Sequence, residues 1–150
     1  LANGEVTRAH YARYLVQIGK VSNDGQAFKR YLGSGKSCFV KAEWVDIPTA
    51  IETIHAAGGV AVIAHPMRYN MTGKWIRRLI VDFKQWDGDG MEVADSGQTK
   101  DQRQYLARLA NEYDLAASLG SDFHFPCGWI ELGKNLFLPE EVKPIWTLFE

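Results

Sequence analysis

The sequence alternates three times between an apolar-faced helix and a short apolar strand, and this alternation restricts the fold more than any other feature. A predicted helix beginning after Asp46 is followed by the apolar run VAVIA, and one beginning after Thr72 is followed by the short strand MEVA. A third helix, begun by a capping box of Thr99 and Gln102, precedes a strand at residues 115–119. Helix-then-strand units in series predict a parallel sheet and therefore an α/β fold.

The first 45 residues show a different pattern. Apolar residues at helical spacing follow Thr7 and recur from about Asp24, which predicts two short helices followed by a glycine-rich turn, GSGK. The apolar stripe of the first helix comprises Tyr11, Tyr14, Leu15 and Ile18. We therefore predict two domains, a helical lobe at residues 1–45 and an α/β domain at residues 46–150.

Each helix of the α/β domain is predicted to pack an apolar face on the sheet. The VAVIA run contains no polar residue, which is typical of a strand buried on both faces. The inward face of the helix after Thr72 comprises Trp75, Ile76, Leu79, Ile80 and Phe83. Pro139 suits the first turn of a final helix. The covering face of that helix comprises Val142, Ile145, Trp146 and Phe149.

Charge and cysteine content argue against several classes of protein. The formal net charge of −1 gives no general attraction for nucleic acid, although basic residues cluster locally. This basic cluster comprises Lys29, Arg30, Lys36 and Lys41. Cys38 and Cys127 lie far apart without a CxxC spacing, which argues against a disulfide scaffold and favours a reducing cytoplasm. The sequence shows neither a membrane-spanning run nor a secretory signal.

Polar clusters follow all three predicted strands, in the runs AHPMRY, EVADSG and GSDFH. Because the carboxyl ends of parallel strands lie at one edge of a sheet, we expect these clusters to share one rim. Asp122 and His124 point to the same side if strand geometry continues through Phe123. With His65 as a third ligand, this donor set suits Mn²⁺, Fe²⁺ or Zn²⁺. The alternative is that these histidines and the aspartate are hydrogen-bonded structural groups, as we interpret His55.

Other polar residues have both a functional and a structural interpretation. The guanidinium of Arg68 suits a phosphate group or a surface salt bridge. Arg8 and His10 form a second cationic pair, which is also consistent with a solvated helix start. Glu92 is central in its strand and needs a partner unless it lines the site. Trp129 suits stacking on a base or shielding of the core.

The runs TRAHYAR, GGVAVIAHPMRY, GDGMEV, LGSDFH and CGWIELG together resemble the carboxyl-terminal half of the PHP family, the polymerase and histidinol phosphatase metal-dependent phosphoesterases. Within that family the chain is most similar to bacterial nucleoside 3′,5′-bisphosphate phosphatases, some of which act as 5′-to-3′ exoribonucleases on short RNA. The resemblance covers nearly the whole chain. It implies a distorted seven-stranded β/α barrel, here a partial (β/α)7 barrel, with residues 7 to about 45 as a helical insertion over its mouth.

The resemblance also implies roles for six residues. The metal ligands would be His65, Asp122 and His124, and the contacts for substrate phosphate would be Arg8, His10 and Arg68. The family holds two or three metal ions, often Mn²⁺, with Zn²⁺, Fe²⁺ or Mg²⁺ as alternatives. The chain departs from the family pattern at Ala9, where proline is usual, and at Met67, where glycine is commoner.

The family's opening His-x-His motif and its remaining ligands belong to upstream strands and do not occur in these 150 residues. We therefore expect the chain, which starts at Leu1 without a methionine, to lack the amino-terminal half of the barrel and to bind metal weakly by itself. The complete protein is expected to hydrolyse nucleotide phosphate esters, and the open sheet edge of a half barrel allows either pairing of two copies or partial unfolding. The alternatives are a non-catalytic nucleotide- or RNA-binding module and a different metal hydrolase, such as an amidohydrolase.

Overall fold

The computed structural model describes residues 6–124 and 130–149. It divides into two compact units, Leu1–Trp44 and Val45–Glu150. None of the helices within the described ranges is long and apolar enough to cross a membrane.

The first unit is helical. Helix α1 spans Arg8–Gln17, and α2 spans Asp24–Ala27 and continues into one π-helical turn at Phe28–Leu32. Its small core comprises Ala12, Val21, Ala27 and Leu32, with Leu15, Val16 and Tyr31 packed against it. The predicted apolar stripe of α1 is wrong for Tyr11, Tyr14 and Ile18, which are exposed. The reason is that α1 turns its Ala12 face, not the tyrosine face, toward α2.

The second unit contains the predicted parallel sheet. Strands β1 (Val62–Ile63), β2 (Gly90–Asp95) and β3 (Ala116–Gly120) lie in the order β1-β2-β3, and both pairs are parallel. Helices α3 (Ile47–Ala56), α4 (Gly73–Gln85) and α5 (Lys100–Glu112) precede them in turn. The α/β fold and the parallel sheet are therefore confirmed.

Helix starts follow local chemistry. The Asp46 carboxylate accepts a hydrogen bond from the Thr49 N–H at 2.9 Å, which caps α3. Thr99 and Gln102 form the reciprocal capping box of α5, with hydrogen bonds of 2.9 and 3.2 Å. These side chains satisfy backbone donors that the first turn of a helix leaves unpaired, so the predicted starting points are confirmed.

The core of this unit lies between the sheet and its helices. All six residues of β2 are buried, and its Met91 and Val93 pack with Ile80 of α4 and Leu106 and Leu109 of α5. The first strand is less enclosed than predicted, since Val62 is half-buried and Ala64 exposed. It pairs only with β2 among the described strands, so one edge of β1 lacks a neighbour within the described chain.

Two predicted apolar faces are partly wrong. Trp75 of α4 is exposed, whereas Ile76, Ile80 and Phe83 are buried as predicted. The tail forms only a short 3-10 helix at Ile145–Leu148. Its Val142 and Ile145 cover the core, but Trp146 and Phe149 face solvent. The tail is held through its backbone, because the Lys143 carbonyl accepts a 2.7 Å hydrogen bond from the Ala117 N–H.

Candidate active site at the carboxyl ends of the strands

His65 begins the loop after β1 in a strained conformation. Its φ of 34° and ψ of 55° lie in the left-handed region, which is unusual for a residue with a side chain. The buried Pro66 follows it and starts a short 3-10 turn, Pro66–Arg68. The ring packs edge-on against Tyr69, with 5.8 Å between centroids. Backbone strain of this kind is concentrated at functional sites.

The imidazole of His65 carries a buried donor or acceptor with no partner. Its Nδ1 atom is inaccessible to solvent and makes no hydrogen bond within the described residues. A buried polar atom left unpaired is costly and requires an explanation, such as a ligand that is bound in the working protein. An imidazole nitrogen is a common metal ligand, so this unpaired nitrogen is consistent with the predicted role of His65 as a metal ligand.

Glu92, in the middle of β2, is paired with the backbone of His65 at the end of the neighbouring strand. Its Oε2 atom accepts a hydrogen bond of 2.6 Å from the His65 N–H, which ties the strained turn to the middle of the sheet. Burial raises the pKa of Glu92, the His65 N–H opposes that shift, and the negative charge of Asp95 adds to it. A Cβ atom at Gly120 would lie 2.6 Å from Oε1 of Glu92. The absence of a side chain at Gly120 therefore leaves room for this carboxylate.

Arg68 connects the ends of two strands. Its Nε donates to Oδ2 of Asp95 at 3.3 Å, and its Nη1 donates to Oδ2 of Asp122 in a very short contact. Burial alone would lower the pKa of Arg68, but hydrogen bonding and the charges of Asp95 and Asp122 outweigh it and raise the pKa. The salt-bridge interpretation of Arg68 is therefore correct for this structure. The side chain is still 37% exposed, so part of the guanidinium faces outward.

Asp95 was not singled out from the sequence. It is only 2% exposed, and its second oxygen, Oδ1, accepts a 2.6 Å hydrogen bond from the Gly97 N–H. Its position at the carboxyl end of β2, inside the EVADSG run, was the available signal. Because its carboxylate is held by backbone on one side and by Arg68 on the other, Asp95 orients the guanidinium.

Asp122 and His124 adopt a different geometry from the predicted one. Strand β3 ends at Gly120 and Asp122 has a φ of 53°, so strand geometry does not continue through Phe123. The two side chains nevertheless stay close, with 3.7 Å between Oδ1 of Asp122 and Nδ1 of His124. The same Nδ1 lies 2.8 Å from the Asp122 carbonyl oxygen, and the imidazole is 72% exposed. The two groups therefore lie close together without a continuing strand.

The described residues do not by themselves complete a metal site. Across residues 6–124 and 130–149, no three His, Cys, Asp or Glu side chains are grouped closely enough to hold an ion. Nδ1 of His65, which has no partner among the described residues, and the adjacent Oδ1 of Asp122 and imidazole of His124 are nevertheless donors of a suitable type; no contact links His65 to the other two within the described residues. By donor type these three residues suit a metal ion, but the described structure does not bring them together as one ligand set.

The remaining predicted residues lie elsewhere. Arg8 and His10 belong to the helical unit, where Nδ1 of His10 accepts a 3.0 Å hydrogen bond from the Thr7 N–H and so contributes to the start of α1. His55 pairs with Asp89 at 2.8 Å, and the same carboxylate oxygen accepts the Ala61 N–H at 2.6 Å, which supports a structural role. Trp129 lies outside the described residues.

Comparison with known proteins places these observations in context. No protein-family model matches the chain. A 5′-3′ exoribonuclease of Haemophilus influenzae is 81% identical over 149 residues, which are 99% of this chain and 54% of that protein. The chain is a homologue of this exoribonuclease. A 3′,5′-nucleoside bisphosphate phosphatase of Chromobacterium violaceum is 41% identical over 97% of the chain and 51% of its own length.

Solved structures agree with this relationship. A protein from Chromobacterium violaceum, described as an amidohydrolase with bound sulfate and no metal, superposes with a TM-score of 0.80 and 41% identity over 95% of this chain and 49% of that one. A protein from Bifidobacterium adolescentis, provisionally assigned as a metal-dependent phosphoesterase, gives a TM-score of 0.65 at 27% identity over 97% of this chain and 50% of that one. The resemblance found in the sequence is confirmed, and the chain spans about half the length of the relatives it matches.

Proposed function

We propose that the complete protein is a metal-dependent phosphoesterase that hydrolyses nucleotide phosphate esters, either nucleoside 3′,5′-bisphosphates or the 5′ ends of short RNA. The observation that carries this proposal lies at the strand-end rim, the set of strand ends and loops that holds His65, Asp95 and Asp122. There the loop after β1 carries both His65, whose buried Nδ1 has no partner among the described residues, and Arg68, whose guanidinium is partly exposed. A metal ligand and a phosphate-binding group are the two elements that metal-assisted phosphate hydrolysis requires. The names of the two relatives support the substrate class.

In this proposal His65, Asp122 and His124 hold a metal ion, with Mn²⁺ favoured and two or three ions in the complete protein. When bound, the metal would activate the attacking water and stabilise the developing negative charge. Arg68 binds a phosphate oxygen, and the carboxylates of Asp95 and Asp122 hold its fork in a fixed orientation. A preoriented donor stabilises charge in the transition state without first having to reorganise.

The proposal assigns residues 46–150 to the carboxyl-terminal half of a seven-stranded barrel and residues 1–45 to its helical insertion. Within the described residues, β1 has one edge without a neighbouring strand and the metal ligands are incomplete; both findings are consistent with a second half that supplies strands and ligands. Arg8 and His10 are proposed as further phosphate contacts, and His10 then serves both the helix start and the substrate. A cytoplasmic location completes the proposal, supported by the separated cysteines Cys38 and Cys127.

The test uses the complete native protein with adenosine 3′,5′-bisphosphate and with a short 5′-phosphorylated RNA. We expect release of inorganic phosphate from the first and of mononucleotides from the second, with Mn²⁺ required and a chelator abolishing both. Hydrolysis of amide substrates without phosphate release would instead support an amidohydrolase. Tight nucleotide or RNA binding without hydrolysis would support the non-catalytic binding module.

The Gly120→Ala variant tests how the rim is built. Its added methyl group lies 2.6 Å from Oε1 of Glu92, so the carboxylate must move and weaken its hydrogen bond to the His65 N–H. We expect a fall of about 10- to 100-fold in Mn²⁺-dependent phosphate release, the range typical of residues that support a metal ligand. Gly73→Ala is the matched control, because its methyl group meets only the Tyr105 hydroxyl at 3.4 Å. Equal activity of both variants would show that Glu92 does not position His65.

A further inference from the structure

The small net charge of the chain conceals a strong separation of charge between its two units. Residues 1–44 contain seven lysines and arginines and three acidic residues, a net charge of +4. Residues 45–150 contain ten basic and fifteen acidic residues, a net charge of −5. The two values together give the −1 of the whole chain. The total charge gives no general attraction for polyanions, but the positive charge of the helical unit does.

Within the helical unit, three of these cations surround one open cavity of about 670 Å³. The residues that line it are Gln26, Lys29, Arg30, Tyr31 and Lys36. No acidic residue belongs to this lining, and the three cationic side chains are exposed. Within the described part of the chain, Lys29, Arg30 and Lys36 form no salt bridge. Their charge is therefore available to a ligand.

The cavity is built by an unusual piece of backbone. The π-helical turn Phe28–Leu32 carries Lys29, Arg30 and Tyr31, and π-helical turns occur frequently at functional sites. The turn ends at Gly33, where a Cβ atom would lie 2.7 Å from the Phe28 carbonyl oxygen, so the close return of the chain there needs a glycine.

The glycine-rich loop then folds back and brings the third cation to the cavity. The Lys36 N–H donates to the Gly33 carbonyl at 3.1 Å, and the Cys38 N–H donates to the Tyr31 carbonyl at 3.0 Å. Gly35, inside the loop that both bonds close, adopts a φ of 74°. Because two backbone hydrogen bonds secure the loop, Lys36 is placed beside Lys29 and Arg30 by the fold and not by chance rotation of a free tail.

The chemistry of the lining matches a single-stranded nucleic acid. The guanidinium of Arg30 lies 5.6 Å from the centre of the Tyr31 ring, which combines a cation and an aromatic face. Tyr31 is half-buried and packs on the small core of the unit, so its ring is held in place. Proteins that bind single strands pair cations for the phosphates with aromatic rings for the bases. An acidic protein partner would not require the aromatic component.

We propose that this basic cavity of the helical unit binds the backbone of single-stranded RNA, through residues other than those of the strand-end rim. The inference rests on the proposed function, which leaves two candidate substrates. It assigns to the helical unit a preference for the longer one, RNA. The cavity would favour an RNA chain over a nucleoside 3′,5′-bisphosphate, since a chain offers a run of phosphates and bases to three cations and a ring, whereas the bisphosphate offers two phosphates and one base.

The experiment compares two triple variants of the complete native protein with equal loss of charge. The cavity variant carries Lys29→Gln, Arg30→Gln and Lys36→Gln, and the control carries Lys20→Gln, Lys100→Gln and Lys134→Gln. Binding of a labelled 12-nucleotide RNA is measured by fluorescence anisotropy in chelator at several salt concentrations. We expect the cavity variant to bind RNA at least about tenfold more weakly. The slope of log K against log salt should also become shallower by about 2, because each of the three lost phosphate contacts contributes about 0.7 to it. The control should bind like the wild type.

A kinetic measurement separates this inference from the proposed function. If the protein hydrolyses both substrates, the KM of the cavity variant should rise several-fold more for RNA than for adenosine 3′,5′-bisphosphate. Failure of the wild type to hydrolyse either substrate would overturn the proposed function, whereas the binding measurement would still decide the inference. Unchanged RNA binding by the cavity variant, or an equal loss in the control variant, would overturn the inference.

Discussion

Replacement of His65 by alanine is expected to lower kcat/KM for Mn²⁺-dependent phosphate release by on the order of 10³-fold in the complete protein. Metal ions contribute several kcal/mol to stabilisation of the transition state, and each 1.36 kcal/mol corresponds to a factor of ten in rate. The variant removes the buried Nδ1 atom that has no other partner among the described residues. Initial rates measured across Mn²⁺ concentrations, alongside the thermal midpoint of unfolding, would check the result.

His55→Ala is the matched control for this variant. His55 is also a histidine, but it is engaged with Asp89 and not with the strand-end rim. We expect His55→Ala to change stability and to leave kcat/KM within a few-fold of the wild type. A His65→Ala protein that folds and retains wild-type activity would remove His65 from the metal site and would leave the proposed function without its main structural support.

Replacement of Leu106 by alanine is expected to destabilise the protein by about 2 to 5 kcal/mol. Leu106 is fully buried in the core between α5 and the sheet, where truncation removes apolar contacts and leaves a cavity. Since native domains are stable by only about 5 to 15 kcal/mol, this is a large part of the total. Urea denaturation should show a lower midpoint with an unchanged slope.

Leu132→Ala provides the control for burial. Leu132 is 78% exposed, so the same chemical change there should alter the free energy of unfolding by less than about 0.5 kcal/mol. A comparable loss of stability in the two variants would mean that α5 does not pack on the sheet as described.

The site was predictable in position but not in detail. Because the strands are parallel, their carboxyl ends had to share an edge, and the runs AHPMRY, EVADSG and GSDFH were therefore expected near one rim, although Asp95 within the second run was not singled out. The left-handed conformation of His65 and the hydrogen bonds from Arg68 to both Asp95 and Asp122 could not be predicted from the sequence. They depend on contacts between residues 27 to 54 positions apart along the chain, which local patterns do not report.

The starts of α3 and α5 and the parallel direction of the strands were determined by the sequence alone. Caps such as Asp46 and Thr99 act on backbone groups only three residues away, and alternating apolar helices and strands can be buried together only in a layered parallel arrangement.

Tertiary structure decided which apolar faces are buried and how the polar groups of the rim are paired. Trp75, Tyr14 and Trp146 share the helical spacing of core residues, yet each faces solvent, because burial depends on where a neighbouring element packs. Likewise, Glu92 reaches the His65 backbone only because Gly120 of the adjacent strand leaves room for its carboxylate. Spacing along the chain specifies a face, whereas only the packed neighbour determines what that face contacts.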